Sequence, residues 1–547
     1  MVEKGTRHAT RQGAAQDVAD ERTRDLLESG ATTLGIELGS TRIKACLVGP
    51  DHAVVATGSH TWENELVDGR WTYAVEDVWA GLAGAVADLL ADTDRRYGVR
   101  PTTFRALGIS AMMHGYLALD ADGALLVPFR TWRNTSTGPA AAQLTELLGH
   151  NVPLRWSVAH LYQAVLDREA HVGRIASLTT LAGYVHHRLT GRHALGVGDA
   201  SGMFPVDPDR LGYDATMLGK ADVLLAAHGF TTPLADLLPE VLAAGQEAGR
   251  LTAEGAALLD PSGTLQAGVR LCPPEGDAGT GMVATHSVAP RTGNVSVGTS
   301  VFAMVVLEKS LEHVHPEIDV VTTPAGDPVA MVHCNNGASE LGAWAAVFHR
   351  FAEALGHETE ADAVFRVLLR EALAGDPDGG GVLAYNHLAG EPVAGLDAGR
   401  PLVVRTPDSH LTLANLARSL VYGVFGTLSL GMRVLHEEGV GLDALYAHGG
   451  LFRTAVVAQR LLAAAVDAPV AVGRSAGEGG AWGIAVLASF LDAAATQDLE
   501  RFLATEVFAD AAFDVVDPDP EDVRGYATYL ERYSAGLAIE RTAGDVL

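Results

Sequence analysis

The chain reads as an α/β protein built from two related domains, and three observations carry that reading. Its 547 residues are more than one ordinary core accommodates. Strand-like runs come first and helical runs follow, repeatedly, which is the order of an α/β class. Finally, "GIELGSTRIKACLVG" at 35–49 is echoed by "TGNVSVGTSVFAMVV" at 292–306. Each copy is an apolar strand, a glycine, hydroxyl residues and a second apolar strand, and Gly298 lies close to half a chain length beyond Gly39. Two such domains facing one another would form a cleft, where ligands usually bind.

The first 30 residues, "MVEKGTRHATRQGAAQDVADERTRDLLESG", are charged and polar throughout and carry no apolar signal-peptide core. Residues 1–32 are therefore expected to be a solvated extension, followed by domains at 33–287 and 288–547. From Thr33 the pattern becomes "TLGIEL", "IKACLVG" and "AVVATGS", three strands bounded by Gly, Asp or Pro. "VEDVWAGLAGAVADLLADTDRRYG" then places apolar residues at helical spacing and stops at glycine. "EGDAGTGMVA" at 275–284 follows two prolines and has the wrong glycine order for a dinucleotide loop. "YAHGGLFRTAVVAQRLLAAAVDAPV" reads as strand, Gly449-Gly450 turn and amphipathic helix, and "SAGEGGAWGIAVLASFL" as a second glycine turn entering a helix.

Composition excludes several classes. Lys and Arg number 39 against 67 Asp and Glu, a net charge of -28 that repels a polyanion, and no basic cluster offsets it. Nucleic acid and anionic membrane are therefore not expected partners. No run approaches the ~18 apolar residues of a membrane span. Cys46, Cys272 and Cys334 are far apart and show no zinc-ligand spacing, which fits a reducing, cytoplasmic compartment.

A strand-turn-strand tip rich in Gly, Ser and Thr exposes backbone N–H groups and hydroxyls, and can grip phosphate oxygens. Gly39, Ser40 and Thr41 form one such tip, and Gly298, Thr299 and Ser300 the other. Lys44 would add positive charge, and Glu37 could hold Mg²⁺ through its water shell. The turn after "YAH" would let a flat or anionic ligand approach backbone. No Walker-type loop occurs, since the Gly-Lys pair at 219–220 lacks the leading glycine and the hydroxyl.

In this order the motifs resemble the FGGY family of carbohydrate kinases. "GIELGSTRIK" is similar to its first phosphate motif and "VSVGTSVF" to the second. "GISAMMHGYLALDADGALLVPFRTWRNTST" and "HHRLTGRHALGVGDASGMFPVD" look like its sugar-side segments, and "HGGLFRT" and "EGGAWGIA" like its adenosine-side loops. The resemblance implies a two-domain actin/hexokinase-like (ribonuclease H-like) ATPase fold with an interdomain cleft. It also implies ATP and Mg²⁺ as cofactors, and a free ketose, most simply ribulose or xylulose, as the second substrate. It makes Asp277 the catalytic base, a position that spacing alone reads as a turn residue. It places Met113, His114, Trp132, Arg133 and Asn335 on the sugar, Gly449, Gly450 and Gly480 on the adenosine side, and Glu37 with Asp277 on the metal.

The chain departs from the family pattern at several points. Glu37 stands where the family usually has Asp, His448 where a third glycine is common, and Tyr422-Gly423 in place of a Glu-Gly pair. "TWRNTST" replaces the common Trp-Asn-Asp-Thr-Arg pattern. The expected partners are a sugar and a nucleotide, with a homodimer left open. A nucleotide-binding regulator or scaffold on the same fold is the alternative reading.

Overall fold

The structure, a computed structural model, describes residues 20–454, 456–473 and 479–547. Residues 1–19 of the expected extension, and residues 475–478 of the second glycine turn, lie outside them. The expected solvated stretch gives way to a helix at 20–28, because its few apolar residues fall on one side: Leu27 is buried in the first core, and the Arg24 guanidinium donates to Tyr97 O at 2.8 Å.

The chain divides into two compact units. Of the described residues, unit 1 takes 20–284, 321–327 and 479–510, and unit 2 takes 285–320, 328–473 and 511–547. In unit 1 the sheet runs Gly249–Arg250, Arg270–Leu271, Ala106–Ala111, Thr33–Leu38, Arg42–Val48, Val54–Thr61, with Glu275–Gly276 paired further along Ala106–Ala111. Strand Thr33–Leu38 pairs antiparallel with Arg42–Val48 and parallel with Ala106–Ala111.

Unit 2 repeats this plan, which gives the internal echo a structural meaning. Its sheet runs Pro328–Cys334, Val301–Val306, Thr292–Val297, Ala444–Gly449, Val470–Gly473, Phe513–Val516. Again the first strand, Thr292–Val297, pairs antiparallel with its hairpin partner and parallel with a later strand, Ala444–Gly449.

Helix Val75–Tyr97 follows the apolar spacing of its sequence, burying Val78, Leu82, Ala85, Val86 and Leu89, and ends at Gly98 with φ 68°. Acids in its first turn and Arg95 and Arg96 in its last favour the helix dipole. Helix Gly479–Phe490 matters more for the site. Gly35 and Gly108 are register partners on adjacent parallel strands, and a Cβ on either would strike this helix, at Ala481 O or at Ile484. Two side-by-side glycines thus form a trough that seats the helix on the sheet. Unit 2 buries charged residues as well: Arg418 donates to Asp522, itself buried, at 2.7 Å and to Gly375 O at 2.6 Å.

Candidate active site

In unit 1 the site gathers at the carboxyl ends of the parallel strands Thr33–Leu38 and Ala106–Ala111, where open α/β sheets usually bind ligands. Register sets Glu37 beside Ser110, and Ala111 beside Gly276 of the short Glu275–Gly276 strand. That strand delivers Asp277 as the first residue of helix Asp277–Ala284, so the expected turn residue is a helix N-terminal acid. Asp277 Oδ1 accepts the Met113 N–H at 3.1 Å, and burial pushes its carboxyl above the ordinary range.

Glu37 is half-buried, close enough to Asp277 to feel its charge. Burial, then the charge of Asp277, push its carboxyl up to about 7, while Lys44 and the Ala481 N–H pull it down. Lys44 is its register partner on the neighbouring strand. The bond to Ala481 shows where the extra methylene of Glu37 goes: it reaches the first turn of helix Gly479–Phe490. A Cβ at Gly480 would collide with Glu37 Oε1 and stand 2.9 Å from Thr280 Oγ1. Ser110 Oγ and Thr280 Oγ1, 3.0 Å apart, complete this floor. Gly480 thus lies in unit 1 against a carboxylate, whereas Gly449 and Gly450 lie in unit 2.

Two half-buried carboxylates with raised pKa, one disfavoured by the other's charge, form a hard-oxygen set short of positive charge. Such a set fits Mg²⁺.

The residues of unit 1 expected on the sugar side are built into the fold to different degrees. Met113 and His114 are buried; His114 has φ 72°, and its Nδ1 lies 3.3 Å from Gly202 O, where a Cβ on Gly202 would not fit. A histidine held in the left-handed region is strained, and strain of this kind clusters at functional sites. Trp132 is half-buried. Arg133 is exposed, and its guanidinium stacks on Trp132 at 5.3 Å and on Trp71 at 5.5 Å. Buried Asn134 ties this segment to Trp71, accepting its N–H and donating to its carbonyl.

Asn335 lies apart from these, in unit 2, with its amide donating to Gly390 O at 2.8 Å.

Sequence reasoning assigned no role to Asp199 and Glu275. Both are buried; Glu275 accepts the N–H groups of Gly198 and Asp199, and Asp199 accepts the Thr180 hydroxyl at 2.6 Å. Burial leads in pushing Glu275 up to about 8 and Asp199 up to about 7. The signal was present as Gly196-Val197-Gly198, since a Cβ at either glycine would strike the Glu275 carboxyl.

The two expected phosphate tips share a design. In the first, every carbonyl is taken: Gly39 O by the Trp62 indole at 2.7 Å, Ser40 O by the Tyr73 hydroxyl at 2.7 Å, and Thr41 O by the Trp62 N–H at 3.2 Å. In the second, Gly298 O and Thr299 O accept from Ala338 and Gly337 at 2.8 and 2.7 Å. Tying the carbonyls into the protein suits a tip meant to meet an anion. The echo is imperfect, because the Gly39 N–H closes onto Arg42 O and the Gly298 N–H onto Ser300 O, a loop one residue shorter. Neither glycine has positive φ.

Gly449 differs: its φ is 116° and a Cβ would strike Val297 O, so close strand packing already requires it. Gly450 faces open space. Burial pushes the His448 imidazole below its ordinary pKa.

Comparison with known proteins finds relatives of the chain. The model for the FGGY family of carbohydrate kinases, N-terminal domain, matches residues 32–265, and that for its C-terminal domain matches 293–491. A xylulose kinase of Staphylococcus xylosus is 20% identical over 432 residues, 77% of this chain and 83% of that protein. The crystal structure of a xyloylose kinase from Brucella ovis superposes with TM-score 0.74 at 21% identity, covering 93% of this chain and 99% of that one. A gluconate kinase from Lactobacillus acidophilus gives TM-score 0.75 at 17% identity, covering 94% and 99%. These neighbours share the two-domain actin/hexokinase-like fold.

Proposed function

Since the chain belongs to the FGGY family of carbohydrate kinases, we propose that it transfers the γ-phosphoryl group of ATP to a hydroxyl of a free ketopentose, xylulose or ribulose. The observation that carries this reading is Asp277: a half-buried carboxylate at a helix N-terminus, oriented by the N–H of Met113, the residue before His114. Phosphoryl transfer asks the protein for positioning and charge neutralisation more than covalent chemistry. Asp277 accepts the proton of the attacking hydroxyl, and its raised pKa makes it a stronger base than a solvated carboxylate. His114, Trp132 and Arg133 orient the sugar, with Asn335 as a further polar contact. Gly39, Ser40, Thr41 and Lys44, and Gly298, Thr299 and Ser300, bind phosphate oxygens. Gly449, Gly450 and Gly480 line the nucleotide. Mg²⁺ on Glu37 and Asp277 would neutralise charge on the phosphates.

The relatives named xylulose kinase support a pentulose; the gluconate kinase neighbour and the exposed Arg133 make gluconate the competitor to include. Among the described residues no helix is long and apolar enough to cross a membrane. The three cysteines are buried, in keeping with a cytoplasmic enzyme. A regulator or scaffold on this fold remains the second reading, favoured by the commitment of Glu37 to Ala481.

The test is ADP release with xylulose, ribulose, gluconate and glycerol. A ketopentose is expected to give the largest kcat/KM, and Asp277→Asn to lower kcat by roughly 10²–10⁴-fold. No sugar-dependent turnover sinks the kinase reading in favour of a scaffold. Full activity in Asp277→Asn sinks only the base.

A further inference from the structure

A second polar cluster lies in unit 2 and plays no part in the proposed catalysis. After strand Val301–Val306 the chain makes an irregular excursion that carries His313-Val314-His315. Helix Leu413–Glu437 ends beside it, and its C-cap is Glu438. His313 Nδ1 lies 2.9 Å from Glu438 Oε1, and His315 Nε2 lies 2.7 Å from the same oxygen. One ligand-capable atom from each of the three residues falls within 4.8 Å of the others. We propose that His313, His315 and Glu438 form a divalent transition-metal site, with Zn²⁺ as its probe, that clips this excursion to the end of the helix.

The donor set decides the class of ion. Two imidazoles and one carboxylate suit Zn²⁺ and its borderline neighbours, whereas Mg²⁺ and Ca²⁺ prefer oxygen alone. Bonds of about 2.0–2.1 Å to a tetrahedral ion place ligands roughly 3.3–3.4 Å apart, about half an ångström beyond the two His–Glu438 distances. Glu438 is already oriented: its other oxygen accepts the Glu312 N–H at 2.7 Å, the kind of outer-shell bond that fixes a ligating carboxylate. Its side chain is 5% exposed, that of His315 25% and that of His313 75%, so the site is anchored on one side and open to water on the other. An adjoining cavity of about 250 Å³, lined by Glu308, Lys309, Leu311, Gly439 and Val440, leaves room for a water to complete the coordination. The nearby cation is already matched, since Lys309 pairs with Glu312 at 3.1 Å. The sequence hid this cluster because Glu438 is far along the chain from the His-Val-His pair.

The competing account is that both imidazoles simply hydrogen-bond to Glu438. Full-length, tag-free protein is titrated with Zn²⁺ against a chromophoric chelator, in excess Mg²⁺ to occupy oxygen-only sites. The wild type is expected to hold one Zn²⁺ equivalent that His313→Ala and His315→Ala each weaken by roughly tenfold or more, a floor set by what outer-shell changes alone cost. The same ion should raise the thermal midpoint of the wild type by about 2 °C or more, and of neither variant. His313 is exposed, so its replacement leaves a folded protein for both measurements. Zn²⁺ affinity unchanged in both variants, or no equivalent held by the wild type, overturns the site and leaves plain hydrogen bonds.

Discussion

Glu37 shows how one methylene is accommodated in a crowded site. Asp at this position would end short of helix Gly479–Phe490; Glu reaches the Ala481 N–H, and only glycine fits at 480 beneath it. The two residues are therefore sterically coupled. Gly480→Ala is expected to lower kcat at least tenfold in the wild type and much less in a Glu37→Asp background. A double-mutant cycle should give a coupling of about 1–3 kcal/mol. Strictly additive effects would show that Gly480 does not act through Glu37. The carboxylate and the glycine are both plain in the sequence, but their contact is not, because more than four hundred residues separate them.

At the scale of elements, the first hairpin depends on a prop that its own sequence does not contain. Trp62 and Tyr73 stack at 4.2 Å and together take the carbonyls of the tip. Trp62→Phe keeps the stacking ring and removes the indole donor, leaving Gly39 O unpaired. A lost hydrogen bond of about 1 kcal/mol predicts a several-fold rise in KM for ATP with little change in KM for the sugar. Equal movement of both constants would mean the tip does not serve the nucleotide. Strands and helices were legible where periodicity is strong, as in Val75–Tyr97. The two-residue strand Glu275–Gly276 was not, because it is too short to carry a period and exists only through pairing with Ser110 and Ala111.

At the scale of the whole molecule, unit 1 buries ionisable groups of both kinds, and their effects on stability oppose one another. Asp199, raised from 3.8 to about 7, stabilises the fold fully below its unfolded value and loses that contribution as pH rises toward 7. His160, lowered by burial and then by Arg130 and Arg70 to about 3, does the reverse: its contribution is complete above 6.5 and is lost as pH falls. His150 and His186, lowered to about 4, act with it. Without ligands, the midpoint of unit 1 should fall on both sides of mildly acid pH. Asp199→Asn should flatten the limb that falls toward pH 7, and His160→Phe the limb below 6.5, as followed by thermal unfolding across pH. An acid limb unchanged in His160→Phe would refute the assignment.

The sequence by itself determined the α/β class, the repeated hairpins and the family, because these rest on local periodicity, turn chemistry and the order of motifs along the chain. Only the tertiary structure decided why Gly35, Gly108 and Gly480 are glycines and where the longer carboxylate of Glu37 ends. It alone also revealed the buried Asp199 and Glu275, and the cluster of His313, His315 and Glu438. The physical reason is common to all of these: steric exclusion, desolvation and ligand geometry act between side chains that the fold brings within a few ångströms, at separations along the chain that no local pattern records.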